Sequence, residues 1–414
     1  MTKSNESKND QKNSSFFQNY LKLSVAKTLF PEGDGDWYKK KGYGGKNADD
    51  KPYAPFEDFL NQQKSQPDSI YYESFQGLNL NLHTVPSQLV SGEPCELEVL
   101  KCEPELDSPS KPGTGKHIVY FTGANTYYQA CFRDISTAAK ETGATVHAFN
   151  FPGIGLSTGM VEEANDLTNA GIAVVVSLLN QGIKPDDIVL QGDCFGASVA
   201  MEVKKEIEKQ ADIQLRLIMN NAFKSFKAAV SDMIDRTPLI PSISKSIVKN
   251  LLEFTGWNVT PGEKYIHSDP YQCHIQHQGD QTLATSTLAS RVAKYKEEIR
   301  TGVTKSKSRE PVIDKCPEEY KPYRDFLDQI CYVRVKESEK SKLGAKFGVD
   351  SAGEVNAHFA DLCELEMPGG LSVYEGFVNN YLIVSDKYIN AHPQKDYDVD
   401  NIHFLSSKLS HTLD

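Results

Sequence analysis

Residues 188–201 read IVLQGDCFGASVAM. An apolar run from Ile188 to Leu190 ends in Gly192-Asp193-Cys194-Phe195-Gly196. It restarts at once as Ala197-Ser198-Val199-Ala200, small residues that suit a helix. A buried strand that reverses straight into a helix has to turn sharply, with its central residue, Cys194, held in a sparsely populated backbone conformation. Glycines two positions to either side permit the close approach that such a turn demands. The same turn places Cys194 at a helix N-terminus, where the helix dipole favours a thiolate over a thiol.

The flanking sequence has a matching grammar. HIVYFTG (117–123), TVHAFNF (145–151), DIVLQGD (187–193) and LRLIMNNAF (215–223) read as buried strands. YYQACFRDISTAAKETG (127–143), ANDLTNAGIAVVVSLLNQG (164–182) and ASVAMEVKKEIEKQ (197–210) read as helices between and after them. This alternation predicts an α/β chain with a mostly parallel sheet, right-handed crossovers and helices on both faces. Upstream, IYYESF (70–75), LNLNLHTV (78–85) and CELEVLKC (95–102) read as antiparallel lead-in strands. Downstream, residues 224–265 lack a strand pattern and read as inserted helices, a lid with aliphatic residues such as Ile240, Ile243 and Ile247 on its underside. YQCHIQHQGDQ (271–281) and QICYVRV (329–335) resume the strand pattern, and 284–307 reads as helix. The expected organisation is a disordered N-terminus (1–15) and an N-terminal elaboration with lead-in strands (16–94), including a short helix near 17–29. A core (95–370) containing the lid and a C-terminal extension (371–414) follow.

Composition narrows the function classes. The 414 residues, 39% hydrophobic and 24% charged, suit one large core with insertions. A formal net charge of −11 argues against a nucleic-acid or anionic-membrane partner. The eight cysteines form no C-x-x-C or C-x-x-H pair, so a zinc site is unsupported and a reducing compartment is the simpler assumption. No apolar run approaches the roughly 18 residues of a membrane span, and the polar start MTKSNESKNDQKNSS has no apolar segment behind it. Neither a transmembrane segment nor a signal peptide is expected. The loop NFPGIGLSTG (150–159) lacks the lysine of a phosphate-binding G-x-x-x-x-G-K-[ST], and no cofactor is expected.

FTGAN (121–125), NFPGIGLSTG, GDCFG (192–196), HQGD (277–280) and NAH (356–358) follow one another in the order and spacing of the α/β-hydrolase superfamily, which the chain resembles over residues 95–370. GDCFG resembles its nucleophile elbow, G-x-S-x-G, with sulfur in place of the hydroxyl. Within the superfamily, the tyrosine-rich loop after FTG, the NFPGIGLSTG turn and the inserted region resemble the Legionella SidB/Sdb-type lipase-like effector proteins. The resemblance implies an α/β-hydrolase fold with a mostly parallel central sheet, helices on both faces and a helical lid. It implies Cys194 as nucleophile, Asp280 as orienting acid and His358 as base, with the amides of Phe195 and Ala124 as the oxyanion hole. The chain departs from the pattern at Cys194, at Thr122, where many relatives have histidine, and at Asn150 and Pro152. Ser157 reads as a local hydrogen-bonding residue of that loop.

Each assignment has a plainer rival. Cys194 also reads as a structural cysteine in an inactive elbow, Gly279-Asp280 as a turn pair, and Asn125 as either an extra oxyanion donor or a loop cap. Ser198 lies one turn into the helix and should not point at the same site. His392 is the runner-up base. His83, His117 and His147 read as packing residues, and His274 and His277 as structural ones. Asp232 and Asp235 are poorer acids, because a lid holds a carboxylate less firmly than a sheet end. The implied activity is cleavage of an acyl ester or thioester through a covalent acyl-enzyme. Acyl transfer, as in dienelactone hydrolases and polyhydroxyalkanoate synthases with cysteine at this position, stays open, as does a silent fold used as a binding module. A peripheral lipid contact and a host-protein partner also stay open. The effector resemblance implies export from the bacterial cytoplasm by a type IV system into a host cell, and the tail SSKLSHTLD is compatible with a C-terminal signal.

Overall fold

The architecture is that of a computed structural model. It describes residues 72–105, 111–124, 126–235, 252, 256–257, 259–265, 269–278, 280, 282–283, 286–301, 322–323, 326, 330–347, 355, 358, 360–394 and 397–406. The expected disordered N-terminus, the helix near 17–29, and residues 236–251 of the expected lid lie outside the described residues.

Among the described residues nine strands form one sheet: β1 (Leu78–Gln88), β2 (Pro94–Pro104), β3 (His117–Phe121), β4 (Thr145–Phe149), β5 (Ile188–Asp193), β6 (Arg216–Asn220), β7 (Gln272–His277), β8 (Ile330–Val335) and β9 (Leu365–Glu366). Their spatial order is β1-β2-β4-β3-β5-β6-β7-β8-β9. β2 runs antiparallel to both β1 and β4, β4 through β8 pair in parallel, and β9 closes the far edge antiparallel to β8. An antiparallel lead-in followed by a crossed-over parallel sheet, with a sharp strand-to-helix turn after β5, is the α/β-hydrolase fold.

The parallel strands are buried on both faces, which is why they read as continuous apolar runs. Along β3, Val119 and Phe121 join the core beneath the helices Ala164–Asn180 and Phe195–Ala211. Ile118 and Tyr120 join the opposite core with the helix Phe132–Thr142 and with Tyr374, Tyr381 and Leu382 of the C-terminal segment. The first two helices pack so closely that a Cβ on Gly171 would lie 2.5 Å from Val203 Cγ2 and 2.6 Å from Phe121. Their ends follow from local chemistry. Glu163 and Asp166 form a reciprocal capping box at the start of one helix, and Gly143, at φ 80°, ends the Phe132–Thr142 helix in the left-handed conformation.

One element corrects the sequence reading. Tyr72–Phe75, within the stretch read as a strand, is a short helix. Phe75 stacks on Phe132 at 4.6 Å, so its apolar contact comes from a tertiary partner rather than from a neighbouring strand. The C-terminal segment is joined to the sheet by charge as well as by packing. Asp386, in the helix Asn379–Ala391, accepts from the buried Arg216 of β6 and lies 2.9 Å from Lys116 Nζ. No described helix is long and apolar enough to cross a membrane. The parallel pairing puts the C-terminal ends of β3 to β7 at one edge, so residues 122–124, 150–160, 194, 221–223, 278 and 280 gather there.

Candidate active site

Cys194 sits between β5 and the helix Phe195–Ala211, at φ 50° and ψ −108°. A residue with a side chain adopts this conformation only when its surroundings enforce it, and here the glycines do. A Cβ on Gly192 would lie 2.5 Å from the backbone of Gly196 and Ala197, and one on Gly196 would lie 2.3 Å from the Phe121 carbonyl oxygen. Both positions therefore require glycine. The Cys194 amide donates to the Asn220 carbonyl at 2.8 Å, tying the turn to the end of β6. Among the described cysteines Cys194 alone is not buried.

His358 and Asp280 come from separate loops and meet beside it. His358 Nδ1 lies 3.1 Å from Asp280 Oδ2, with the two side chains 8% and 3% exposed. The same imidazole is close enough to Cys194 for the charge of the sulfur to act on it. Because Asp280 takes Nδ1, Nε2 is the nitrogen left for sulfur. Asp280 is itself fixed by the amides of Thr282 and Leu283, which donate to Oδ1 at 2.8 and 2.9 Å. Burial opposes charging of the His358 ring, but the Cys194 thiolate and the Asp280 carboxylate outweigh it and raise its pKa from 6.5 to about 10. Burial likewise disfavours the Asp280 carboxylate. The bond and charge of His358, with donors from Leu283 and Asn221, overcome that and hold its pKa down at about 2.

The remaining expected residues occupy distinct places. Phe195 opens the helix, so its amide is among those a helix start leaves free. Its ring is buried against Phe226 (5.1 Å), Phe223 (5.9 Å) and Trp257 (6.2 Å), which ties the turn to the 224–265 insertion. Ala124 follows Gly123, whose added Cβ would be 3.9 Å from Cys194 Cβ, so this loop lies beside the turn. Thr122 is buried, and Asn125 lies outside the described residues. Ser157 donates to the Asn150 carbonyl and accepts from the Glu98 amide, both at 2.8 Å, as a loop-fixing residue should.

The rival groups go elsewhere. Ser198 is fully buried within the helix. His392 bonds and stacks on Tyr388. His117 and His147 pair with each other at 3.0 Å, and His277 bonds Asn220 at 2.8 Å.

The sequence reading missed Asn221. At φ 53°, its side-chain nitrogen lies 2.8 Å from His358 Nδ1 and also reaches Asp280, while Gln276 Nε2 donates to its carbonyl oxygen at 2.6 Å. The available signal was the polar pair Asn220-Asn221 at the end of an otherwise apolar strand.

Residues 353–410 match the model of the SdbC C-terminal domain. No curated protein matches the chain. Solved structures with a similar fold include an esterase of Pyrococcus furiosus at 15% identity, covering 57% of this chain and 82% of that one, with a TM-score of 0.37. A bacterial heroin esterase is 13% identical over 68% and 85% of the two chains, with a TM-score of 0.38. An α/β-hydrolase from Vibrio vulnificus is 14% identical over 60% and 94%, with a TM-score of 0.36. On the order of its strands and the turn at Cys194, the chain is an α/β-hydrolase-fold protein, and through residues 353–410 it resembles the Sdb-type proteins.

Proposed function

We propose that the chain is a cysteine hydrolase that cleaves an acyl ester or thioester through a covalent acyl-enzyme. The observation that carries this reading is a partly exposed cysteine, held at positive φ on a helix start, near a histidine anchored by a buried carboxylate. In this reading His358 takes the proton of the Cys194 thiol. The thiolate attacks the acyl carbon, and the amides of Phe195 and Ala124 receive the oxyanion as the carbonyl π bond breaks. Collapse of the adduct expels the alkoxide or thiolate, which takes the His358 proton as it leaves. Neutral His358 then removes a proton from water, the resulting hydroxide attacks the acyl-enzyme, and the acid departs as Cys194 returns to thiolate.

Asp280 holds the ring and balances its charge throughout. Thioesters and activated esters should be preferred over amides, whose leaving groups compete poorly with the thiolate as the adduct collapses. The resemblance of its motifs to the Sdb-type effector proteins is what supports the further reading of a bacterial protein exported to act on a host cell. The test is covalent: an electrophilic acyl-type probe should label Cys194 far faster than the other seven cysteines, with hydrolysis of nitrophenyl esters and acyl thioesters in parallel. Labelling without turnover by water, but with turnover by an added acyl acceptor, would point to acyl transfer. No selective labelling and no turnover would leave a binding module.

A further inference from the structure

Directly behind the elbow lies a second carboxyl cluster with no role in the chemistry above. Asp134, on the helix Phe132–Thr142, is fully buried and Asp193, the residue before Cys194, is half-buried; both contact one hydroxyl, that of the buried Tyr120 on β3. Asp134 Oδ2 stands 3.1 Å from it, and Asp193 Oδ2 is closer still. The other positions are already filled by donors. Asn220 Nδ2 gives its proton to Asp193 Oδ1 at 2.7 Å, and the Cys363 amide gives to Asp134 Oδ1 at 2.8 Å. The Tyr374 hydroxyl gives to Asp134 Oδ2 at 3.0 Å and itself accepts from Gln191.

Proton counting then decides the charge state. A phenol has one proton and can donate to only one of two acids. Were both carboxyls ionised, one of the two contacts would set a carboxylate oxygen against the lone pairs of the Tyr120 oxygen. One extra proton resolves this. The protonated carboxyl donates to the Tyr120 oxygen, which donates onward to the other, and the two arrangements differ only in the direction of the bonds along the bridge.

We propose that Asp134 and Asp193 are positioning residues that share a single proton across Tyr120, and that this neutralised bridge holds the Cys194 turn and ties it to the C-terminal segment. The proposal rests on the reading of Cys194 as nucleophile. The coupling is short in the chain: Asp193 adjoins Cys194, and Asn220, which holds Asp193, adjoins Asn221, which reaches His358 and Asp280. Cys363 and Tyr374 both belong to the segment that matches the SdbC C-terminal domain, so that segment completes the support of the elbow.

The titratable groups facing the bridge are Tyr120, Tyr374, Cys131, Cys363 and Asp361, with His277 behind Asn220. None of them carries a positive charge when His277 is neutral. Arg133, next on the helix, is engaged by Glu339 and Glu364. Burial first, and the charge of Asp193 second, push Asp134 up to about 7, and burial raises Asp193 as well. Rising pH therefore removes the shared proton and leaves two anions facing one another across a buried hydroxyl.

The test reads the proton directly and then its consequence. In difference infrared spectra of the whole protein between acid and alkaline pH, a carboxylic-acid carbonyl band sensitive to deuterium should disappear through the neutral range and be absent from Asp134→Asn. Alkylation of Cys194 by iodoacetamide should fall about tenfold per pH unit above the same transition, as one titration requires. In Asp134→Asn, where a carboxamide supplies the donor permanently, that fall should vanish. The infrared result stands whether or not any ester is hydrolysed, so it separates this proposal from the functional reading. No acid band in the wild-type protein, or an identical alkaline fall in Asp134→Asn, would overturn it.

Discussion

Two carboxyl clusters lie against the same turn, and their electrostatics run in opposite directions. Asp280, on the reactive side, faces a cation and is held at about 2, whereas Asp134, on the buried side, faces neutral donors and another acid and is pushed up to about 7. Both are buried, so burial alone cannot distinguish them; the sign of the neighbouring charge does. One cluster is arranged to separate charge between sulfur and imidazole. The other is arranged to avoid charge beneath it. A cysteine held at positive φ needs both, because the strain at Cys194 has to be over-determined from below if the sulfur is to stay on its histidine.

The sharpest way to break the comparison is at the sulfur. Cys194→Ala should abolish turnover of any ester or thioester while leaving the fold intact, since the residue is partly exposed and its amide bond to Asn220 is retained. Cys194→Ser should lower the rate by ~10²-fold or more, the scale of lost acid–base matching. With no thiolate beside it, His358 should titrate well below about 10 in Cys194→Ala, because that charge is the leading cause raising it. Ring-proton NMR across the pH range checks this; an unchanged titration would mean that sulfur and imidazole are not paired. The next effect falls on the hinge common to both clusters. Gly196→Ala should cost about 3 kcal/mol, because its Cβ would meet the Phe121 and Thr122 carbonyl oxygens at 2.3 and 2.4 Å, and backbone cannot yield as a side chain would. Denaturant unfolding measures it, and a change under about 0.5 kcal/mol would show that the turn tolerates a side chain.

Opposite pKa shifts give opposite pH dependences of stability. The lowered pKa of Asp280 contributes stability that is present above 3.8, its ordinary value, and is lost as pH falls toward about 2. The raised pKa of His358 contributes below 6.5 and is lost as pH rises through about 10. Asp134 does the reverse of Asp280: the folded state holds its proton more tightly than the unfolded chain, so stability falls as pH rises from 3.8 toward about 7. Asp280→Asn should therefore destabilise the protein at pH 7 more than at pH 3, and should slow turnover on the order of 10²-fold by leaving the imidazolium unbalanced. Asp134→Asn should be more favourable, relative to wild type, at pH 8 than at pH 5. Melting temperatures of the two variants across that range would show parallel rather than diverging slopes if the clusters were electrostatically alike.

How much of this was legible follows the same division. The elbow was readable because two glycines bracketing one residue between a strand and a helix leave few backbone solutions. The alternation of parallel strands and helices fixed the layer order for the same local reason. Asp280 and His358 came from motif order within a resemblance, since nothing local to HQGD or NAH says that the two loops meet. The buried bridge left no local trace: Asp134 and Tyr374 are 240 residues apart, and Asp193 looked like one more polar residue of the turn. IYYESF alternates like a strand, yet its last four residues are helical, with Phe75 stacked on Phe132. Period alone does not arbitrate so short an apolar run.

The finest test lies at Tyr374, where a supporting tyrosine and a tuning one make different predictions. Tyr374→Phe removes one bond to Asp134, worth about 1 kcal/mol, and leaves the buried Gln191 Nε2 without its acceptor, which adds to the loss. Either role would lower stability by that amount. The tuning role adds something that packing cannot supply. Donation from Tyr374 favours the ionised form of Asp134, so removing it should raise the pKa further and move the alkaline fall in Cys194 alkylation to higher pH. The variant would then be less stable than wild type and yet keep its nucleophile organised at a pH where wild type has begun to lose it. A destabilised variant whose pH profile overlays that of wild type would make Tyr374 a packing residue and detach the C-terminal segment from control of the elbow.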